Sequence, residues 1–290
     1  MADKGTQSAI NSSGLARPKL YLGDADMELD FFEMHVGQVA ASTIADAEKS
    51  GANEDSAAII PVDDDYLVLI VADGVGGLSG ARRASNLTVK TIRSALKKSD
   101  GNSKGGLRTA ILDGIEAANQ AVLDLGAGAA STLALAEIGP GYVRTYHVGD
   151  SILLVCGQRG RIKLQTTPHS PVGFAMEAGL LNETEALQHA ELNLIFNVIG
   201  SADMRIEIGS ELPLATRDTL LLASDGLMDN VLQEEIIETI RKGRLNTAIK
   251  ALSALAQQRM ENDIAGKPSK PDDFTALLFR PNAAVRKRKN

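Results

Sequence analysis

The chain has 290 residues, 44% of them hydrophobic, so it is long enough to bury a full core. We expect one large domain, because no change in composition separates two halves. The net charge of −7 and the isoelectric point near 5.2 argue against a nucleic-acid-binding protein. The single cysteine, Cys156, excludes an internal disulfide framework and fits a reducing compartment. No apolar stretch is long enough to span a bilayer or to form a secretory signal core, so we expect a cytoplasmic protein.

The pattern along the chain predicts strands and helices in blocks. Residues 1–30 are polar and aperiodic, which predicts a flexible leader, and residues 283–290 form a basic tail, so the domain is expected to span 31–282. The predicted elements in chain order are strands at 56–61 and 66–72, helices at 80–98 and 106–124, strands at 131–137, 142–148, 152–156, 161–165 and 219–223, helices at 233–242 and 246–260, and a strand at 274–279. Helix pairs between runs of antiparallel strands favour a layered α+β fold.

Six carboxylates stand at strand ends and turns, where a negative charge is a poor structural choice. Several follow an apolar run directly, so the preceding strands should bring them to one edge of a buried sheet. Carboxylates concentrated there repel each other unless a cation is present. Hard oxygen ligands without His or Cys partners suit Mg²⁺ or Mn²⁺. The six are Glu54, Asp55, Asp73, Asp150, Asp225 and Asp272.

Two of these carboxylates share a local pattern. Asp73 follows the apolar run 67–72 and precedes Gly74, whose carbonyl has no side chain to block the approach of a cation. Asp225 follows another apolar run and precedes Gly226. Taken alone, each Asp-Gly motif is also compatible with a plain turn. The Gly-rich stretch after Asp73 lacks the Lys-Ser/Thr of a phosphate-binding P-loop.

In their order along the chain, these motifs resemble the PPM-type, metal-dependent serine/threonine protein phosphatases. The resemblance extends over roughly residues 35–280 and implies a four-layer α/β/β/α sandwich with two central antiparallel sheets. The matching segments are Asn53-Glu54-Asp55, Asp73-Gly74-Val75-Gly76-Gly77, Gly149-Asp150-Ser151, Ser224-Asp225-Gly226 and Asp272-Asp273-Phe274-Thr275.

The resemblance implies two Mn²⁺ or Mg²⁺ ions in each chain, with a third, weaker site in some members. Asp73 is expected to bridge both ions, and Asp225 and Asp272 to hold one of them. Glu54 and the carbonyl of Gly74 are expected to serve the other.

The same resemblance assigns the outer positions and the reaction. Asp150 matches the ligand of the third metal, and Asp55 is expected to orient metal-bound water. With Asp73 and Asp225, Asp55 forms the expected catalytic set. A hydroxide held between the ions would attack phosphorus in line, without a phospho-enzyme.

The sequence departs from the family pattern near the substrate. Many members carry an Arg four residues before the Glu, and Ser50 stands there in this chain. The adjacent Lys49 is the candidate for holding the substrate phosphate, although it lacks the bidentate fork of Arg and is otherwise a solvated lysine. His169 is interpreted either as pointing toward substrate or as structural, and Asp273 as the alternative ligand to Asp272.

These observations predict a protein serine/threonine phosphatase whose partner is a phosphorylated protein, with no nucleic acid and no membrane involved. The alternative is a catalytically weak or inactive regulatory module that keeps the fold, motivated by Ser50. A third reading is an enzyme that acts on small phosphate esters.

Overall fold

The computed structural model describes residues 17–46, 52–75, 80–98, 104–126, 128–262 and 264–282. The strands are β1 (Lys19–Tyr21), β2 (Met27–Glu33), β3 (Gly37–Ile44), β4 (Ser56–Pro61), β5 (Leu67–Ala72), β6 (Gly74–Val75), β7 (Ala130–Ser131), β8 (Leu133–Gly139), β9 (Tyr142–Val148), β10 (Ile152–Cys156), β11 (Ile162–Gln165), β12 (Glu207–Ile208), β13 (Leu212–Pro213), β14 (Thr219–Ala223) and β15 (Phe274–Pro281). The helices are α1 (Ala81–Lys98), α2 (Lys104–Leu123), α3 (Pro171–Glu177), α4 (Glu183–Leu187), α5 (Asp225–Met228), α6 (Gln233–Ile240) and α7 (Leu245–Glu261).

Two antiparallel sheets form the centre of the molecule. The first has the strand order β1-β4-β5-β8-β9-β12, with β13 also paired to β9, and the second has the order β11-β10-β14-β15-β3-β2. One hydrophobic core lies between the sheets, a second lies between the first sheet and α1 and α2, and a third lies between the second sheet and α6 and α7. This arrangement confirms the predicted four-layer α/β/β/α sandwich.

The continuous apolar runs of the central strands follow from this layering. On β5, Leu69 belongs to the core between the sheets, and its neighbour Ile70 belongs to the core under α1 and α2. Side chains alternate between the two faces of a strand, so a strand covered on both faces needs apolar residues at every position. β14 follows the same rule, with Leu221 and Leu222 facing opposite cores.

The strand register brings the predicted site segments to one end of the sandwich. In the first sheet, Ser56 at the start of β4 pairs with Ala72 at the end of β5. In the second sheet, Ala223 at the end of β14 pairs with Ala276 near the start of β15 and with Ile152 at the start of β10. The loops that carry the carboxylates leave the sheets from these positions.

The N-terminal part of the fold begins earlier than the sequence predicts. Strands β1 and β2 lie largely within the predicted leader 1–30, and β1 pairs with β4 in the first sheet. The leader assignment is therefore wrong for residues 19–30. Residues 1–16 and the basic tail 283–290 lie outside the described residues.

The segment 168–200 crosses the site end of the sandwich. It contains the short helices α3 and α4 and is otherwise irregular. Asn182 caps α4 and exchanges hydrogen bonds with Glu185. We call this segment the flap. Within the described residues, none of the helices combines the length and the apolar character that a membrane crossing requires.

The core between the two sheets predicts a stability difference between two leucines. Leu69 is fully buried, whereas Leu180 in the flap is 77% exposed. We expect Leu69→Ala to lower the free energy of unfolding by about 2–5 kcal/mol, because it leaves a cavity in a packed core. The control Leu180→Ala should change it by less than about 0.5 kcal/mol. Urea denaturation measures both values, and equal effects would contradict the assigned core.

Candidate metal centre

The predicted site residues lie at the ends of strands from both sheets. Asp73 directly follows β5, and Asp225 is the first residue of α5, immediately beyond β14 and Ser224. The remaining carboxylates flank other strands at the same end: Glu54 and Asp55 before β4, Asp150 between β9 and β10, and Asp272 before β15.

Two glycines allow the backbone to approach closely at this end. A Cβ on Gly74 would come within 2.4 Å of the backbone carbonyl of Ala81, at the start of α1. A Cβ on Gly226 would lie 2.0 Å from the carbonyl oxygen of Asp273. Any side chain at these positions would push the segments apart. The glycine after each aspartate therefore has a packing role, which the sequence alone did not reveal.

Asp273 is a structural carboxylate rather than a replacement for Asp272. It is buried, and its two oxygens accept hydrogen bonds from the backbone N–H groups of Asp46 and Glu54, each at 2.9 Å. These bonds join the loop before β15 to the segment that carries Glu54. Asp272 accepts a hydrogen bond from the N–H of Asp273 at 2.9 Å through one oxygen.

Asp55 lies between the two sheets at the site. It is buried, and its Oδ2 accepts a hydrogen bond from the hydroxyl of Ser224 at 2.7 Å. Burial and, after it, the negative charge of Asp273 raise the pKa of Asp55 to about 8, although the hydrogen bond from Ser224 opposes the shift. The carboxyl group is therefore protonated at neutral pH when no cation is near.

Asp73 is surrounded by other carboxylates. Its pKa is raised well above the ordinary value, first by burial and then by the charges of Asp225, Asp55, Asp150 and Asp272. The structure therefore brings together five of the six carboxylates that the sequence singled out. The sixth, Glu54, lies in the adjoining segment.

Asp150 carries an orphaned acceptor at the same site. Its Oδ1 is buried and has no hydrogen-bond partner among the described residues. Burial raises the pKa of Asp150 well above its ordinary value, and the charges of Asp225 and Asp229 add to this effect. A buried carboxylate oxygen without a donor, beside other carboxylates, fits a hard divalent cation. The residues present therefore suit Mg²⁺ or Mn²⁺.

Lys270 is the site residue that the sequence analysis missed. Its Nζ lies 2.6 Å from Asp229, 3.3 Å from Asp225 and 3.5 Å from Asp272. Burial alone lowers the pKa of Lys270, but the charges of Asp225 and Asp229 raise it above its ordinary value. The only signal in the sequence was its position two residues before Asp272.

Two histidines form a second cluster beneath the flap. The Nδ1 of His169 accepts hydrogen bonds from the N–H of Gly149 at 3.0 Å and from the side-chain amide of Asn197 at 2.9 Å. Its Nε2 therefore carries the proton and donates to Glu207 at 3.1 Å. The ring of His147 packs against that of His169, with centroids 4.5 Å apart and the ring planes tilted by 39°. The spacing resembles a metal site, but the proton on Nε2 occupies the nitrogen that a metal would need. His169 is thus structural, the second of the two predicted readings.

Residues 46–265 match the family model described as protein phosphatase 2C. The chain belongs to this family. It is the PPM-type family that the motifs indicate.

Known phosphatases resemble this protein phosphatase 2C chain over most of its length. The serine/threonine phosphatase stp of Listeria welshimeri is 28% identical over 239 residues, which cover 79% of this chain and 90% of that protein. The Streptococcus agalactiae serine/threonine phosphatase structure is 27% identical with a TM-score of 0.72, and the match covers 88% of this chain and 100% of that one. The catalytic domain of the phosphatase PstP, in complex with two manganese ions, has a TM-score of 0.67 at 22% identity, covering 85% of this chain and 99% of that one. The chain is a serine/threonine protein phosphatase, as predicted.

An apolar cavity of about 310 Å³ opens beside the carboxylates of this phosphatase 2C site. It lies between the flap and α5, with Asp150, Asp225 and Asp229 at one end. Its apolar walls come mainly from Val172, Met176, Leu187, Leu192 and Met228. The N–H of Gln233 in α6 donates to Glu183 in α4 at 2.7 Å, which ties the flap to the body of the molecule.

The predicted phosphate contact of this phosphatase 2C chain stays a prediction. Lys49 and the neighbouring Ser50 both lie outside the described residues.

The raised pKa values predict an unusual pH dependence for the metal-free protein. Asp55 keeps its proton in the folded state up to about pH 8, whereas an unfolded aspartate loses it near pH 4. The folded state therefore binds more protons in this window, so stability should fall as the pH rises from about 5 to about 8. Melting temperatures in the presence of a chelator measure this slope.

The variant Asp55→Asn should reduce the slope, because its side chain does not titrate, while Asp73, Asp150 and Asp229, whose pKa values are also raised, should keep the remainder. The control Asp64→Asn, in the exposed turn between β4 and β5, should keep it. A wild-type protein that becomes more stable with rising pH would contradict the assigned shift.

Proposed function

We propose that this chain hydrolyses phosphoserine and phosphothreonine in proteins, with water activated by two divalent metal ions, Mn²⁺ or Mg²⁺. The observation that carries the proposal is the position of Asp73, whose carboxylate is close enough to those of Asp55, Asp150, Asp225 and Asp272 for each to raise its pKa. Such a cluster is electrostatically costly without cations.

The ligand set is the one that the motifs predict. Asp73 would serve both ions, while Asp225 and Asp272 would hold one of them. Glu54 and the carbonyl of Gly74 would hold the other. The hydrogen bond from the N–H of Glu54 to the buried Asp273 supports this placement, because it keeps Glu54 next to the loop of Asp272.

Asp150 would hold a third, weaker ion. Its buried Oδ1, which has no donor among the described residues, supports this assignment. The two manganese ions in the PstP structure support a count of at least two in a related fold.

Two divalent ions bound here would supply a water molecule of lowered pKa and would offset the charge on a phosphoryl group that is attacked in line. Asp55 would orient that water. Its hydrogen bond from Ser224 occupies Oδ2 and fixes the direction of the other carboxylate oxygen. Lys49 remains the candidate for holding the substrate phosphate.

A protein substrate fits the site better than a small ester. The cavity beside Asp150 and Asp225 is mainly apolar, and a small phosphate ester has less surface to place there than a peptide has. A peptide with its phosphate at the carboxylates would extend an adjacent side chain toward Met176 and Met228. Burying apolar surface in such a cavity stabilises the complex by roughly 25 cal/mol for each Å² removed from water.

Turnover by the purified full chain tests the function. We expect Mn²⁺-dependent hydrolysis of a phosphothreonine peptide, with a kcat/KM at least about tenfold higher than for p-nitrophenyl phosphate, because the peptide can bury more surface in and around the cavity. The reverse preference would favour the small-ester reading. Binding of Mn²⁺ in calorimetry without turnover of either substrate would favour the alternative, a regulatory module that keeps only the fold.

Single carboxylate replacements test the ligand assignments. We expect Asp73→Asn and Asp225→Asn each to lower kcat at saturating Mn²⁺ by at least about a hundredfold, because each removes a charged metal ligand. The metal-free fold should remain intact, since the change relieves repulsion between carboxylates. The control Asp64→Asn removes the same charge far from the site and should leave kcat unchanged. Wild-type rates in either ligand variant would refute the assignment.

A further inference from the structure

Lys270 places a positive charge inside the carboxylate cluster. Its Nζ is within 3.5 Å of oxygens on Asp225, Asp229 and Asp272, and its side chain is 29% exposed. An ammonium group has three N–H donors, so it can serve three carboxylates at once. Asp225 and Asp272 are the two residues proposed to share one metal ion.

A buried asparagine holds Lys270 in place. The side-chain amide of Asn230 donates to the backbone carbonyl of Lys270 at 2.8 Å, and its oxygen accepts from the backbone N–H of Lys270 at 2.7 Å. The same amide donates to the carbonyl of Gly226 at 2.9 Å. Asn230 is fully buried. The backbone of Lys270 is therefore fixed to the helix that begins with Asp225, while its long side chain keeps rotational freedom.

We propose that Lys270 is a tethered cation of the metal centre: it holds Asp225, Asp229 and Asp272 together when no metal is bound, and it competes with the metal ion that Asp225 and Asp272 bind. The inference rests on the proposed function, because it needs a metal ion at these two carboxylates.

The charges decide the outcome of the competition. A divalent ion carries twice the charge of an ammonium group and approaches carboxylate oxygens to about 2.0–2.2 Å, whereas the ammonium group stays near 2.8 Å. At a sufficient concentration, the metal ion therefore displaces the ammonium group from the carboxylates. The like charges then repel, and the flexible stem of Lys270 allows Nζ to move toward solvent. The metal ion thus needs a higher free concentration to fill the centre than it would need if the carboxylates were present without Lys270.

The variant Lys270→Met tests the inference in the full chain, because it removes the charge and keeps a linear side chain. In the presence of a chelator we expect its melting temperature to fall by several degrees, since three carboxylates lose their cation. In calorimetry we expect its dissociation constant for Mn²⁺ to fall by about tenfold. Saturating Mn²⁺ should remove the difference in melting temperature.

Lys267→Met is the matched control. Lys267 lies in the same loop and pairs with Glu235 at 2.9 Å, on α6. It should change neither Mn²⁺ affinity nor the gain in stability on adding Mn²⁺. Lys270→Arg keeps the charge and should retain the wild-type stability of the metal-free protein.

A second measurement avoids substitution at the site. In wild-type protein with labelled lysine side chains, we expect the NMR signal of Lys270 to shift when diamagnetic Mg²⁺ is added, and that of Lys267 to stay in place. Lys270→Arg serves only to assign the signal.

Several results would overturn the inference. An unchanged or weaker Mn²⁺ affinity in Lys270→Met excludes competition between Lys270 and the metal ion. A Lys270 NMR signal that does not shift when Mg²⁺ is added excludes displacement of the Lys270 side chain. If the wild-type protein binds Mn²⁺ and hydrolyses phosphopeptide, and Lys270→Met behaves identically, only the role of Lys270 is refuted. A wild-type protein that binds no Mn²⁺ refutes the proposed function as well.

Discussion

Repulsion between carboxylates at one end of the sandwich is the constraint on which the arrangement of this site depends. Asp73 has the carboxylates of Asp55, Asp150, Asp225 and Asp272 for neighbours, and burial strengthens every one of these interactions. Such a group of charges would separate in a flexible chain. Here the residues are attached to strands from two sheets whose packed faces form one core, so the repulsion acts against the whole sandwich.

The surroundings resolve this repulsion differently for different carboxylates. Asp273 is satisfied by two backbone N–H groups and therefore serves as a structural clamp. Asp229 pairs with Lys270, although burial and the charge of Asp225 still raise its pKa to about 6. Asp150 retains a buried oxygen to which none of the described residues donates a hydrogen bond. The carboxylates at this end of the sandwich thus differ in their hydrogen-bond partners, not in the residue type.

Sequence patterns predicted the central strands, and they singled out the carboxylates of the Asp-Gly motifs at the strand ends, because those signals are local. β5 and β14 are buried on both faces and read as unbroken apolar runs. β2 is an edge strand with half-exposed residues, and β3 is rich in small residues, so neither has a clear pattern. Lys270 was missed for a different reason. It is 45 residues away from Asp225 in the chain, and Asn230 joins the two segments only after folding.

Hydrogen bonds join the flap to the loop that carries Asp150. His169 belongs to the flap, and its backbone and ring both bond to Gly149, directly before Asp150. Two hydrogen bonds therefore hold the flap against the residue that precedes Asp150. Asp150 also lines the apolar cavity beneath the flap, so a group that fills this cavity touches the residue next to the glycine that His169 holds in place. The cavity wall, the flap and Asp150 are thus parts of one structural unit.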